Sequence, residues 1–250
     1  MSGHSKWHNI RLKKGKMDAE RGAKFTKLAR EIIVAAKTGG GNPEANLRLR
    51  LAIQKARENS MPQDKIKNAI QRGTGEIEGA VYEEITYEAY GPGGVAMIIE
   101  CATDNRNRTV ADIRSILTKN GGRLAESGAV SYLFSPPVGL ITVPKQGTDE
   151  DTLIAAALDA GADDVKAEED VFSVLTEPGN LSAVQTALQN AAIQISSAEI
   201  TRIPATTVRV EGKEAQQVLR LMDLLEDLDD VQTVHANFDI PDEVLETAAG

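Results

Sequence analysis

The residues best suited to chemistry in this chain are cations. Lys6, Arg11, Lys13, Lys14 and Lys16 lie within the first 18 residues, and Arg21, Lys24, Lys27 and Arg30 follow at helical spacing. Arg48, Arg50, Lys55, Arg57 and Arg72 continue the series. Residues 1–75 hold 17 of the 28 Lys+Arg but only six of the 37 Asp+Glu, a balance of +11. The remainder carries −20, so the overall −9 and the pI near 5.0 conceal a basic end. Lys and Arg at this density bind phosphate oxygens and release counterions. Roughly six to ten such contacts give useful affinity with a steep salt dependence. A solvated helix face is the ordinary use of such residues. Here the excess persists over an arm and three helices without matching acids at i+4 to neutralise it.

Other chemistries are weakly represented. Trp7, beside Lys6, is the only tryptophan, and it could either stack on a base with cationic support or pack back on the helices. Thr103–Thr109 carries Arg106 and Arg108 at a strand-to-helix junction. There the two arginines could grip phosphate near a helix N-terminus, or the segment could be a capped loop with solvated arginines. His4 and His8 stand at i,i+4 with no third metal ligand nearby, and His235 reads as a surface or satisfied strand residue. Cys101 follows an apolar strand and reads as a buried small hydrophobe. The glycine clusters at 39–41, 73–75 and 91–94 do not match a phosphate-binding loop and read as turns. No catalytic set, metal site or cofactor site is expected, so the chain reads as a non-enzyme. One cysteine excludes an internal disulfide framework. No apolar run approaches the roughly 18 residues of a membrane span, and the start is basic and polar. A soluble cytoplasmic protein with no membrane partner is expected.

The elements that must hold the cations follow from periodicity. Residues 1–18 lack an apolar period and read as a mobile basic arm. A first helix is expected from about Asp18 to Lys37, with Phe25, Leu28, Ile32, Ile33 and Ala36 on one face. Asn42 reads as the cap of a second helix with Pro43 in its first turn. Pro62 starts a third, which Gly73 stops in the left-handed conformation. The three make a small bundle.

From Val81 the period changes to two, and residues 80–135 read β-β-α-β, with Ala129–Phe134 as the third strand. After Ser135-Pro136-Pro137 the order is β-α-β-β-α-β, the split βαβ arrangement of ferredoxin-like folds. A last β-α-β piece, Thr206–Val210, Lys213–Leu225 and Val231–Phe238, has no core of its own. It should dock on 80–135, which would make the ferredoxin-like unit an insertion.

At the motif level the chain resembles the YebC/PmpR family. The residues that carry the likeness are Gly3-His4-Ser5-Lys6-Trp7, Phe25-Thr26-Lys27, Asn42-Pro43, Ala52–Ala56, Met61-Pro62, Gln71–Gly75, Tyr87–Gly94 and Thr103–Thr109. The likeness is strong through about Phe134 and weaker over 138–204. It implies an α+β multidomain fold: an arm at 1–18, a three-helix bundle at 19–78, a discontinuous middle α+β domain at 79–136 and 205–240, and an inserted ferredoxin-like domain at 137–204. It also implies a DNA-binding regulator of transcription. Similarity to a mitochondrial translational activator implies a second reading, a ribosome-associated factor that contacts ribosomal RNA and relieves stalling on proline-rich nascent chains. Both readings use the same cations. The expected partner is DNA or ribosomal RNA, the latter with the ribosome, bound by a monomer. The candidate contacts are Lys6, Trp7, Arg11, Lys13, Lys14, Lys16, Arg21, Lys24, Lys27, Arg48, Lys55 and Arg72, with Arg106 and Arg108 as an outpost.

Overall fold

The structure, a computed structural model, describes residues 19–241. Helix α1 (Ala19–Gly39) ends where Gly40 takes φ +84°, a left-handed conformation that costs glycine little. Helices α2 (Leu47–Glu58) and α3 (Gln63–Gly73) pack on it. Leu28, Ile32 and Ile33 of α1 meet Leu49, Ala52, Ile53 and Ala56 of α2 and Ile66 and Ala69 of α3 in one core. Each fully buried Ile or Leu contributes about 1.5–3 kcal/mol of transfer free energy.

An antiparallel hairpin of β1 (Glu83–Tyr90) and β2 (Ala96–Thr103) follows. Helix α4 (Arg106–Lys119), with Ile113 and Leu117 buried, leads to the short β3 (Arg123–Leu124), which pairs with the end of β1. The chain then builds a separate compact unit over Tyr132–Thr207 and Asn237–Asp239. Its elements are β4 (Val138–Pro144), α5 (Glu150–Asp159), β5 (Asp164–Ala167), β6 (Val171–Thr176), α6 (Leu181–Asn190) and β7 (Ser197–Thr201). They form a four-stranded antiparallel sheet in the order β5-β6-β4-β7, with α5 and α6 over a core of Ile141, Val143, Leu153, Phe172, Val174, Val184 and Leu188.

The first unit resumes with β8 (Val208–Arg209), α7 (Gly212–Glu226) and β9 (Val231–Ala236). Strand β9 lies antiparallel beside β2, giving the order β3-β1-β2-β9, and β10 (Phe238–Asp239) follows it. Strand β2 is therefore central, and seven of its eight residues are buried, which is why it reads as a continuous apolar run. Helices α4 and α7 touch each other, and α1 reaches both β2 and β9.

Four local expectations fail, each for a physical reason. Helix α2 begins at Leu47 with Asn46 as its cap, not at Asn42. The Asn46 side chain is buried, accepts from the Leu49 N–H at 3.0 Å, and donates to the Ala35 and Gly40 carbonyls at 2.8 Å each. It thereby satisfies both helix ends at once. Asn42 only closes a local turn, accepting from the Glu44 N–H.

Gly73 is not the left-handed stop. It is the last residue of α3, and a Cβ there would meet the Ile33 carbonyl oxygen at 2.5 Å, so it allows α3 to press on α1. The left-handed residue is Gly75, φ +80°. The expected strand over Ala129–Phe134 is absent: a single 3-10 turn, Ser131–Leu133, occupies half of it, and Phe134 makes only an isolated bridge to Pro204. The buried Glu88 carboxylate accepts from the main-chain N–H groups of Gly128, Val130 and Ser131 at 2.7, 2.6 and 3.0 Å. Three donors converging on one carboxylate curl the segment and remove it from a ladder. Finally, the last strand is broken at Asn237, which separates β9 from β10: its buried side chain donates to the Thr206 carbonyl at 3.1 Å, a bond outside any strand ladder.

Candidate nucleic-acid interface

The structure divides the expected cations into groups with different partners. Lys6, Trp7, Arg11, Lys13, Lys14 and Lys16 lie outside the described residues. Arg21 sits in the first turns of α1. Lys24 is exposed and, among the described residues, has no ionic partner.

The next two cations of α1 are turned to a different use. Lys27 donates to the carbonyl of Glu226, the last residue of α7. Arg30 is 9% exposed and donates to the Asp229 carbonyl and, at 2.9 Å, to Asp230 Oδ1. Its guanidinium also lies 5.2 Å from the centre of the Tyr82 ring. Lys27 and Arg30 thus approach the carbonyl end of α7, where unpaired carbonyls and the helix dipole favour positive charge.

Asp230 is the centre of this region. Its Oδ2 accepts from Arg108 Nη2 at 2.8 Å, Thr109 Oγ1 at 2.7 Å and Thr103 Oγ1 at 3.2 Å, and its Oδ1 accepts from Arg30. Burial alone would raise the Asp230 carboxyl above its ordinary range. The hydrogen bonds from Arg108 and Thr109 and the charges of Arg30 and Arg108 outweigh it and hold the group below that range. Arg108 binds Asp104 as well, at 2.8 Å, and the two carboxylates push its already high pKa higher. The four groups Arg30, Arg108, Asp104 and Asp230 sum to zero charge. The local turn is capped as well, by Asn105 Oδ1 accepting from the Arg108 N–H at 3.1 Å. The junction at 103–109 is therefore a capped turn whose Arg108 is engaged internally. Arg106 is exposed and pairs with Glu83 at 3.1 Å.

Two further expected contacts are paired on the surface. Arg48 makes a two-pronged pair with Glu84, which raises its pKa chiefly through the hydrogen bond. Lys55 pairs with Glu31 at 2.9 Å. Exposed pairs of this kind are worth only about 0–1 kcal/mol, so a phosphate can compete for either cation. Arg72 is exposed and has no ionic partner among the described residues.

The sequence reading did not select Arg50, Arg57 and Lys67 as contacts. All three are exposed, and among the described residues none has an ionic partner. A signal for the first two was available: Arg50 and Arg57 are spaced i,i+7 on α2 with no acid three or four residues away on either side. Among the described residues, the bundle's exposed cations held by neither a carboxylate, a carbonyl nor a ring are thus Lys24, Arg50, Arg57, Lys67 and Arg72, whereas Lys37 donates to the Tyr82 carbonyl and Lys65 lies 5.3 Å from the centre of the Phe25 ring. Asp230, by contrast, has no signature in its sequence neighbourhood. Cys101 is buried, which pushes its thiol up to about 12 and leaves it an inert core group. His235 is also buried, with Glu100 3.7 Å away. Among the described residues no three His, Cys, Asp or Glu side chains are arranged to hold a metal, and no helix is long and apolar enough to cross a membrane.

Two family models match the chain. The TACO1/YebC protein N-terminal domain covers residues 5–76, and the TACO1/YebC second and third domain covers residues 82–238. A protein from Pelotomaculum thermopropionicum is 56% identical over 244 residues, spanning 97% of this chain and all of the relative. One from Geobacter sulfurreducens is 55% identical over 246 residues, spanning 98% of this chain and 99% of the relative. Both bear the name probable transcriptional regulatory protein. The crystal structure of a conserved hypothetical protein from Aquifex aeolicus superposes with a TM-score of 0.78 at 48% identity, covering 91% of this chain and 94% of that one.

Proposed function

Since the chain belongs to the TACO1/YebC family, we propose that it is a nucleic-acid-binding regulator of transcription that acts without catalysing a reaction. The observation that carries this reading is the set of exposed cations on the bundle, Lys24, Arg50, Arg57, Lys67 and Arg72, without carboxylate partners among the described residues. Phosphate contacts from such a set position a protein on DNA and carry no sequence information by themselves. The names of the relatives favour DNA as the target.

The architecture that serves this function reads as an arm at 1–18, a helical bundle at 19–78, a middle domain at 79–136 and 205–240, and a ferredoxin-like domain at 137–204 inserted into it. The −20 borne by residues 76–250 repels a polyanion and confines binding to the basic end. The protein works in the cytoplasm as a monomer.

The test is fluorescence anisotropy of the full chain with a labelled DNA duplex over a series of salt concentrations. The reading requires log K to fall linearly with log salt, with a slope that shrinks when Arg50 and Arg57 are both changed to Glu. A protein that fails to bind at low salt, or whose affinity ignores salt, refutes it.

A further inference from the structure

The linker between the bundle and the first strand borders a groove of about 570 Å³. One wall is the C-terminal half of α1, with Ile33 and Lys37, and the other is the end of α3 and residues 74–82, with Arg72, Ile77, Val81 and Tyr82. Gly73 lets the two walls close at the back, because its missing Cβ is what permits contact with the Ile33 carbonyl.

Three independent features point to a ligand. The first is apolar: Ile77 and Val81 are among the few exposed large hydrophobic side chains, Val81 at 69%. They border the same groove, although water-facing apolar groups gain nothing there without a partner. The second is charge. Lys37 and Arg72 face one acid, Glu78, along the groove, and Arg72 has no ionic partner among the described residues. The third is main chain. Residues 78–81 are exposed and form no hydrogen bond with described residues, which leaves a row of N–H and C=O groups along one wall.

We infer that this groove takes an unpaired nucleotide of the bound nucleic acid, its base among Ile33, Ile77, Val81 and Tyr82 and its phosphate on Arg72 and Lys37. The inference rests on the nucleic-acid reading above and adds a substrate class to it. The volume falls within the range of roughly 300–1,000 Å³ found for small-molecule and cofactor pockets. A base paired in a duplex offers only its edge to a protein, whereas a slot with apolar sides and polar main chain accepts the plane of a base and reads its edge as well. The excess of cations over acids favours a phosphate-bearing ligand over a peptide.

The experiment compares the full chain on two labelled DNA probes of one sequence, a flush duplex and the same duplex with a three-nucleotide bulge. The wild type is expected to bind the bulged probe at least fivefold more tightly. Ile77→Asn and Val81→Asn, which leave every cation in place, should abolish that preference and change flush-duplex affinity by less than about threefold. Both positions are exposed, so folding is not at issue, and circular dichroism checks it. Equal affinity of the wild type for the two probes overturns the groove assignment and leaves the nucleic-acid reading intact. Binding to neither probe removes both. Loss of the bulge preference on adding an acidic peptide, with no effect of deoxyadenosine monophosphate, assigns the groove to a peptide and overturns the inference.

Discussion

Arg108 and Asp230 stand 122 residues apart in the chain, yet the guanidinium Nη2 donates to both carboxylate oxygens, at 2.8 and 3.0 Å. The pair joins the start of α4 to the turn before β9, and Arg30 brings α1 to the same carboxylate. A cation at a helix N-terminus that suggested phosphate binding is held by a buried acid instead.

Replacing Asp230 with Ala should be among the most damaging substitutions in the chain. It leaves the buried Arg30 without its carboxylate and removes one acceptor from each of the buried Thr103 and Thr109 hydroxyls. Removing one partner of a buried pair costs about 3–5 kcal/mol. Urea unfolding followed by circular dichroism should show the midpoint fall by the equivalent amount, while Arg108→Ala, at a half-exposed position, should cost clearly less.

Acid should weaken the fold through the same carboxylate and through Glu88. Both have folded-state pKa values below their ordinary ones: for Glu88 burial opposes the shift, and the main-chain donors Val130, Gly128 and Ser131 prevail. A depressed carboxyl stabilises fully above its unfolded value, about 3.9 for Asp and 4.3 for Glu, and the contribution disappears as pH falls through the folded value. Unfolding midpoints should therefore be level above about pH 5 and drop below about pH 4. Asp230→Asn should flatten that drop, since it removes one of the responsible protons.

Glu88→Gln tests the loop that replaced an expected strand. The amide keeps one acceptor oxygen for three converging N–H donors and presents its own donors where acceptors are needed. A loss of about 1–3 kcal/mol is expected. Hydrogen exchange should accelerate at Gly128, Val130 and Ser131 before it does so in β2.

Gly73→Ala separates helix propensity from packing. In an open helix the change would gain about 1 kcal/mol. Here the new methyl would sit 2.5 Å from the Ile33 carbonyl oxygen and 2.6 Å from the Ala36 Cβ. Overpacking of this kind costs about 1–3 kcal/mol, so a net destabilisation is expected in thermal unfolding.

Neutralising cations one at a time should sort them by their partners. Arg50→Ala and Arg57→Ala should each lower DNA affinity and reduce the salt slope by about 0.9, the value for one lost phosphate contact. Arg108→Ala should change the slope little, because its charge is matched by Asp104 and Asp230. A slope unmoved by the α2 variants would take that helix out of the interface.

Much of the local structure was legible because it depends on neighbours. The apolar stripe of α1, with Leu28, Ile32, Ile33 and Ala36, and the alternation of β1 announce themselves at periods near 3.6 and 2. The cap of α2 was missed by four residues because Asn42 and Asn46 are equally good caps by type. Only the buried position of Asn46, between the end of α1 and the start of α2, selects it. Ala129–Phe134 is a short, mostly apolar run with Val, Tyr and Phe, types that strands favour, and nothing within it reports that Glu88, some 40 residues earlier, will gather its N–H groups.

From the sequence alone came the charge division, the order of helices and strands, and the family likeness, all properties of residue type and short-range spacing. Which cations stay free was decided only in three dimensions. Lys27 and Arg30 occupy the same helix as Lys24 and have the same kind of side chain, yet the end of α7 and Asp230, about 200 residues on, take them up. Electrostatic partners are chosen by distance through space, which falls off over a few ångströms, and sequence separation carries no information about it.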